Sequence, residues 1–193
     1  MAMFEGTASE AAGLRARLVG AKREVVSWDA GPIRDQATGR ILDQLKEEGF
    51  AVLHALFWPQ RGIDLDHLVI GPTGIWVVAS KDFSYPLSQC RRGRLWSGCH
   101  PVTSALEEAR AAARCVTETL APALDGAVDA AEAVMPVLAV HTALVPDRHL
   151  RHGEVHVVDA SRSLLPLLRH SRPVLPIAIV ARVAERAVAV SGA

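Results

Sequence analysis

The stretch Gly62-Ile63-Asp64-Leu65-Asp66-His67-Leu68-Val69-Ile70-Gly71-Pro72-Thr73-Gly74-Ile75-Trp76-Val77-Val78-Ala79-Ser80-Lys81 decides how the chain folds. Two runs rich in aliphatic and β-branched residues, 63–70 and 75–80, flank a Gly-Pro-Thr-Gly segment, and glycine and proline between such runs are turn chemistry. The expectation is an antiparallel hairpin. A symmetric turn places Asp66 opposite Ala79 and Asp64 opposite Lys81. Strand side chains alternate with period two, so these four would share one face with Leu68, Ile70, Ile75 and Val77. Two carboxylates and one ammonium group then gather where an apolar sheet face meets solvent.

Working outward, the apolar residues Ala37, Ile41, Leu42 and Leu45 fall on one helical face between Asp35, a plausible N-cap, and Gly49, a natural stop. Residues 7–24 have a loose helical period, which Gly31 and Pro32 interrupt. Phe50 to Phe57 reads as a strand. Beyond the hairpin, Leu87 to Trp96 reads as a small polar hairpin turning at Gly93. Pro101 at an N1-like position opens an alanine-rich helix that Pro122 ends near Leu120. Val134 to His141 and Val155 to Val158 read as strands. Ser161 caps a helix running through His170, and a C-terminal helix starts at Val174 with Pro176 in its first turn. The order implies an α/β fold, a mixed central β-sheet flanked by helices. Its domain plan is an N-terminal helical extension over 1–27, a core over 28–170, and a C-terminal helix, 171–193, packed on the same core.

Composition supports a globular chain. Half of the 193 residues are apolar and 22% are charged, far from the composition of disordered chains. Formal net charge is zero, so nothing global attracts DNA, RNA or an anionic membrane, and any nucleic-acid contact must be local. Cys90, Cys99 and Cys115 lack the spacing of a zinc site and read as reduced thiols. The longest apolar run, Pro173 to Ala181, is too short for a membrane span, so a cytoplasmic protein without membrane association is expected. Only three of the 21 basic Lys and Arg residues are lysines, a bias suggesting a GC-rich bacterial gene, which makes Lys81 more informative than an arginine there would be.

Aspartates beside a lysine at a strand end suit phosphodiester hydrolysis, with carboxylate oxygens holding Mg²⁺ and the lysine positioning water and offsetting phosphate charge. Spacing alone favours the plainer reading, a surface Asp64–Lys81 ion pair with Asp66 capping or solvated. The Asp-x-Asp-His strand at 64–67, running into Gly-Pro-Thr-Gly and an apolar strand that ends near a lysine, resembles the central signature of the nuclease-related (NERD) family. The Gly-Arg-Leu-Trp run at 93–96 and a proline near the start of a later apolar strand, at 136, agree with it. The resemblance spans roughly residues 28–170. It implies the αβββαβ restriction-endonuclease-like core of the PD-(D/E)xK nucleases and a Mg²⁺- or Mn²⁺-dependent DNA-hydrolase ancestry.

Carried over position by position, Asp66 matches the metal-binding aspartate and Lys81 the motif lysine. The acidic residue expected two positions before that lysine is Ala79, and the glutamate expected after Gly39 is Arg40. Asp64, on the face of Asp66, and Asp43, one turn after Gly39, are the carboxylates that could compensate. The reading is therefore a nuclease-like DNA-associated protein with an impaired site. Its alternatives are a non-catalytic interaction scaffold of the same fold and an active nuclease with relocated ligands.

Arg91, Arg92 and Arg94 with Trp96 form a basic patch beside an aromatic that could contact phosphate and stack on a base; a solvated hairpin tip is the plainer reading. His149, His152 and His156 have ligand-like spacing but straddle a loop and lack a cysteine partner. His67 falls on the face opposite Asp66 and reads as a hydrogen-bonding histidine under the flanking helix. Gly71 to Gly74 lacks the Gly-Lys-Ser/Thr ending of a phosphate loop, so no nucleotide or other small-molecule ligand is expected.

Overall fold

The computed structural model describes residues 33–90 and 93–191. The expected N-terminal helix and the extension over 1–27 lie outside them, as do Arg91 and Arg92. Helix α1 (Ile33–Asp43) continues into a 3₁₀ turn, Gln44–Glu48, which Gly49 ends at a φ of 85°. Asp35 lies inside the first turn of α1 rather than capping it.

Strands β1 (Ala51–Trp58), β2 (Ile63–Gly71) and β3 (Gly74–Lys81) follow, then the short β4 (Leu87–Gln89), β5 (Leu95–Ser97) and β6 (His100–Pro101). Helix α2 (Thr103–Leu124), the single-turn α3 (Ala130–Ala133), β7 (Val134–Val140), β8 (His149–His152) and β9 (Val155–Asp159) come next. Helices α4 (Leu164–His170) and α5 (Ile177–Ala189) end the fold. Setting aside the inserted β4–β6 sheet and the small α3, the order α1-β1-β2-β3-α2-β7 is the αβββαβ core expected.

The main sheet has the strand order β1-β2-β3-β7-β9-β8. It is antiparallel from β1 to β3, parallel across β3-β7-β9 and antiparallel again at β8, a mixed sheet with helices on both sides. On one face Leu68, Ile70, Ile75 and Val77 pack against Val116, Leu120 and Leu124 of α2 and Val180 and Val183 of α5. On the other, Val69, Trp76, Val78 and Val137 pack against Leu42 of α1 and Leu164 and Leu168 of α4. Central strands buried on both faces must be apolar throughout, and β3 and β7 are close to that limit. Gly71 belongs to this packing: a Cβ there would meet the Phe50 ring at 2.0 Å.

Several expectations shift. Pro101 pairs with Trp96 as part of β6 instead of opening a helix, an edge position where a missing N–H costs nothing. Pro122 does not stop α2, which runs to Leu124 and ends at Asp125 with a φ of 54°. A proline keeps helical φ and removes only one backbone bond, and burial of Leu120, Ala123 and Leu124 against the sheet holds the last turn. The C-terminal helix begins at Ile177 with Pro176 before it. The strand β8 has no alternating apolar pattern, being exposed or half-buried throughout.

The largest departure is in β1 and β2. His54 pairs with His67, and Leu56 pairs with Leu65. His67 lies on the α1 side, bonded to His54, yet Leu65, two residues away, packs with Leu56 and Ile63 in the α2 and α5 cluster. Residues two apart in a regular strand share a face, so the ribbon rolls over between these pairs, at Asp66 and at Ala55. Ala55 has a φ of 49°, a left-handed conformation an alanine adopts only under constraint. Asp64, between Ile63 and Leu65, is consequently exposed across from Phe57.

Candidate functional site

β2 and β3 keep register from Gly71 and Gly74 out to His67 and Val78. Beyond that pair the strands part, and the Asp66 carboxylate fills the fork: its Oδ2 accepts the Ser80 backbone N–H at 2.9 Å. A side-chain oxygen replaces the carbonyl a continuing ladder would supply. Asp66 is thereby fastened to the residue preceding Lys81.

The ammonium of Lys81 turns to helix α2 and donates to Glu108 Oε2 at 2.8 Å. The expected Asp64–Lys81 pair does not form. The rolled ribbon carries Asp64 away, and Glu108 on the facing helix takes its place. Glu108 was not singled out from the sequence; an acidic pair, Glu107-Glu108, in the first turns of an otherwise alanine-rich helix is the signal that could have found it.

On the α1 side, a polar network backs the fork. Ser80, 1% exposed, donates through Oγ to Thr38 Oγ1 at 2.8 Å, and Thr38 Oγ1 meets His141 Nε2 at 2.6 Å. His67 Nε2 approaches Ser80 Oγ at 3.5 Å, while His67 Nδ1 faces His54 Nδ1 at 2.8 Å. His54 Nε2 in turn meets Asp43 Oδ1 at 3.0 Å, and Lys46 also binds that oxygen. An ionised carboxylate only accepts, so His54 carries its proton on Nε2 and, when neutral, offers Nδ1 as an acceptor to a proton on His67 Nδ1.

Burial, followed by the nearby His54, pushes His67 down to about 3, and burial lowers His54 despite the raising effect of Asp43. At Asp43 burial opposes ionisation, but hydrogen bonds from Lys46 and His54 outweigh it and hold the carboxyl below its ordinary value. His67 is, as its position in the strand predicts, a buried hydrogen-bonding histidine under α1. Asp43, a candidate compensating carboxylate by its place after Gly39, anchors the histidine pair.

Residues 30–144, from α1 to just past β7, match the family model for the nuclease-related domain. The chain belongs to the nuclease-related domain family. No curated protein and no solved structure gives a significant match. In this nuclease-related domain the matched span covers the fork, the network and Glu108.

Asp66 lies in β2 and Lys81 ends β3, while position 79 is an alanine at the rim of the α2-side core and Arg40 is exposed on α1. Among the described residues, no three or more His, Cys, Asp or Glu side chains gather as a metal cluster. Of the expected nucleic-acid patch, Arg94 is exposed just before β5 and Trp96 is half-buried within that strand. The three histidines do not converge: His149 Nε2 meets His156 Nδ1 at 3.0 Å, and His152 pairs with Arg110. Cys90 and Cys99 are exposed thiols, and Cys115 is half-buried against the α2-side core. Among the described residues no helix is long and apolar enough to cross a membrane.

Proposed function

We propose that this nuclease-related domain binds DNA with a hydrolytic site too poor in carboxylates to turn over phosphodiesters efficiently. The observation carrying this reading is the fork itself. Mg²⁺ and Mn²⁺ prefer several hard oxygen ligands, near-octahedral in the case of Mg²⁺. Asp66 spends one oxygen on Ser80, Ala79 has none to give, and Glu108 is committed to Lys81. The donors present do not fit a tightly held divalent cation.

Lys81 keeps a role suited to binding: an ammonium at the sheet end can meet a phosphate by exchanging its Glu108 contact, since exposed pairs of this kind are weak. Arg94 and Trp96 supply charge and a ring face on the neighbouring small sheet. With zero formal net charge, DNA association should be modest and fall steeply with salt.

The test is supercoiled-plasmid nicking in Mg²⁺ or Mn²⁺ beside a binding titration at low salt. Salt-sensitive binding with negligible nicking supports the proposal; vigorous nicking that Lys81→Ala abolishes defeats it. A second reading, an active enzyme with a relocated ligand, is favoured by one observation, the Glu108 carboxylate beside Lys81. It requires that Glu108→Gln also abolish nicking.

A further inference from the structure

At the far edge of the main sheet from β1, two imidazoles meet that neither the fork nor its network uses. β8 is the last strand in the sheet, and its register with β9 sets His149 opposite Val158 and Arg151 opposite His156. Residues two apart in a strand share a face, so these four lie on one side, where Val158 joins Trp76 and Val137 in the core. His149 and His156 are therefore diagonal neighbours across the two strands, and His149 Nε2 stands 3.0 Å from His156 Nδ1. His149 is exposed and His156 half-buried. Packing fixes the inner ring: His156 meets Trp76 edge-on, with centroids 5.8 Å apart, while the two imidazoles lie at 5.2 Å with planes only 24° from parallel.

That nitrogen separation is the bite of a chelate. Zinc holds an imidazole nitrogen at about 2.0–2.1 Å, so two nitrogens on one tetrahedral ion stand about 3.3 Å apart, and on a square-planar ion about 2.9 Å. The observed 3.0 Å lies between the two. Burial holds both rings below the ordinary histidine value, His156 at about 4 with His149 and Arg151 adding to the effect. Both are neutral at neutral pH, the form in which imidazole is a metal ligand. One ring donates its proton across the gap. A metal there requires only that this ring carry the proton on its other nitrogen, so both rings stay neutral and no proton is released overall.

Imidazole nitrogens suit Zn²⁺, Ni²⁺ and Cu²⁺, whereas Mg²⁺ and Mn²⁺ favour oxygen, which separates this pair from the chemistry of the fork. Two features keep the affinity moderate. Arg151 puts a positive charge on the same face, although its Nε is turned to the Gly153 carbonyl. Asp159 Oδ1, three residues beyond His156, is taken by the backbone N–H groups of Ser161 and Arg162 and by the Ser161 hydroxyl. The pair thus supplies two ligands and leaves the remaining positions on the ion to water.

We propose that His149 and His156 form a two-histidine chelate site at the sheet edge for a borderline divalent transition metal of the Zn²⁺ class. The site lies beyond residues 30–144, the span matched by the family model, and stands independently of the fork and of its fitness for hydrolysis.

The test is a Zn²⁺ titration of the full chain followed through its imidazole ¹H–¹³C resonances. Those of His149 and His156 are identified by their loss in His149→Asn and His156→Asn. The expected result is that the two shift together and saturate at the same Zn²⁺ concentration, and that Mg²⁺ moves neither. Loss of a residue that merely supports a metal ligand costs about tenfold or more in affinity. Loss of one of two ligands should cost no less. In His149→Asn, a change at an exposed position, the His156 resonance should therefore need at least about tenfold more Zn²⁺ to shift. Imidazoles at 149 and 156 that Zn²⁺ leaves unmoved while other residues respond, or a His156 resonance that responds equally in His149→Asn, overturns the proposal.

Discussion

The Nδ1 atoms of His54 and His67 face each other at 2.8 Å in the interior, so a single proton lies between them and the pair cannot accept a second charge without breaking that bond. The folded pKa of His67 is depressed to about 3 and that of His54 lies below its ordinary value. The unfolded chain therefore takes up protons first. The stability contributed by the neutral pair is complete above the unfolded histidine pKa of about 6.5 and is lost as pH falls from there toward the folded value.

Between pH 7 and pH 5, His67 alone should cost on the order of 2 kcal/mol of stability, a change that precedes carboxylate titration. Thermal unfolding followed across that range should show the midpoint fall by several degrees. His67→Asn should flatten the dependence, although the variant is less stable at neutral pH. An unfolding midpoint that does not change from pH 7 to pH 5 would rule out a neutral buried pair.

Ala55 holds a φ of 49° at the point where the β1–β2 ribbon rolls over. Glycine adopts that conformation without the Cβ clash, which costs an alanine about 1–2 kcal/mol. After the greater unfolded-state entropy of glycine is subtracted, Ala55→Gly should stabilise the protein by up to about 1 kcal/mol. Chemical denaturation measures it directly, and clear destabilisation would mean that the strand is not rolled at this residue.

Lys81 and Glu108 meet at 2.8 Å with side chains 33% and 62% exposed. A pair this open contributes under about 1 kcal/mol. A double-mutant cycle with Lys81→Ala and Glu108→Ala should therefore return a small coupling energy that shrinks with added salt. Coupling of several kcal/mol would assign the lysine to the architecture and not to a phosphate.

The hairpin was legible because its information is local. Alternating and continuous apolar runs around Gly71-Pro72-Thr73-Gly74 fix turn and register together, and the observed pairing runs as far as His67 and Val78. Helix α1, β7 and the sheet-and-helix architecture follow from equally plain apolar patterns. What escaped depends on tertiary geometry. Period-two alternation carries Asp64 onto the face of Asp66 only while a strand stays regular, and no residue in the sequence announces that Ala55 is left-handed. Glu108 reaches Lys81 across the gap between a helix and the sheet, a distance in space that helical spacing cannot express. His54, Thr38 and His141 each look unremarkable alone and become a network only when α1 is laid over the ends of β1, β3 and β7.

The fork holds no second carboxylate beside Asp66 to share a cation. Isothermal titration of Mn²⁺ into the wild-type protein and into Ala79→Glu probes that most directly, because position 79 is where the missing oxygen donor would stand. The wild type should give little or no binding heat, and Ala79→Glu a measurable, saturable isotherm. Tight Mn²⁺ binding by the wild type, or no gain from the added glutamate, would contradict it.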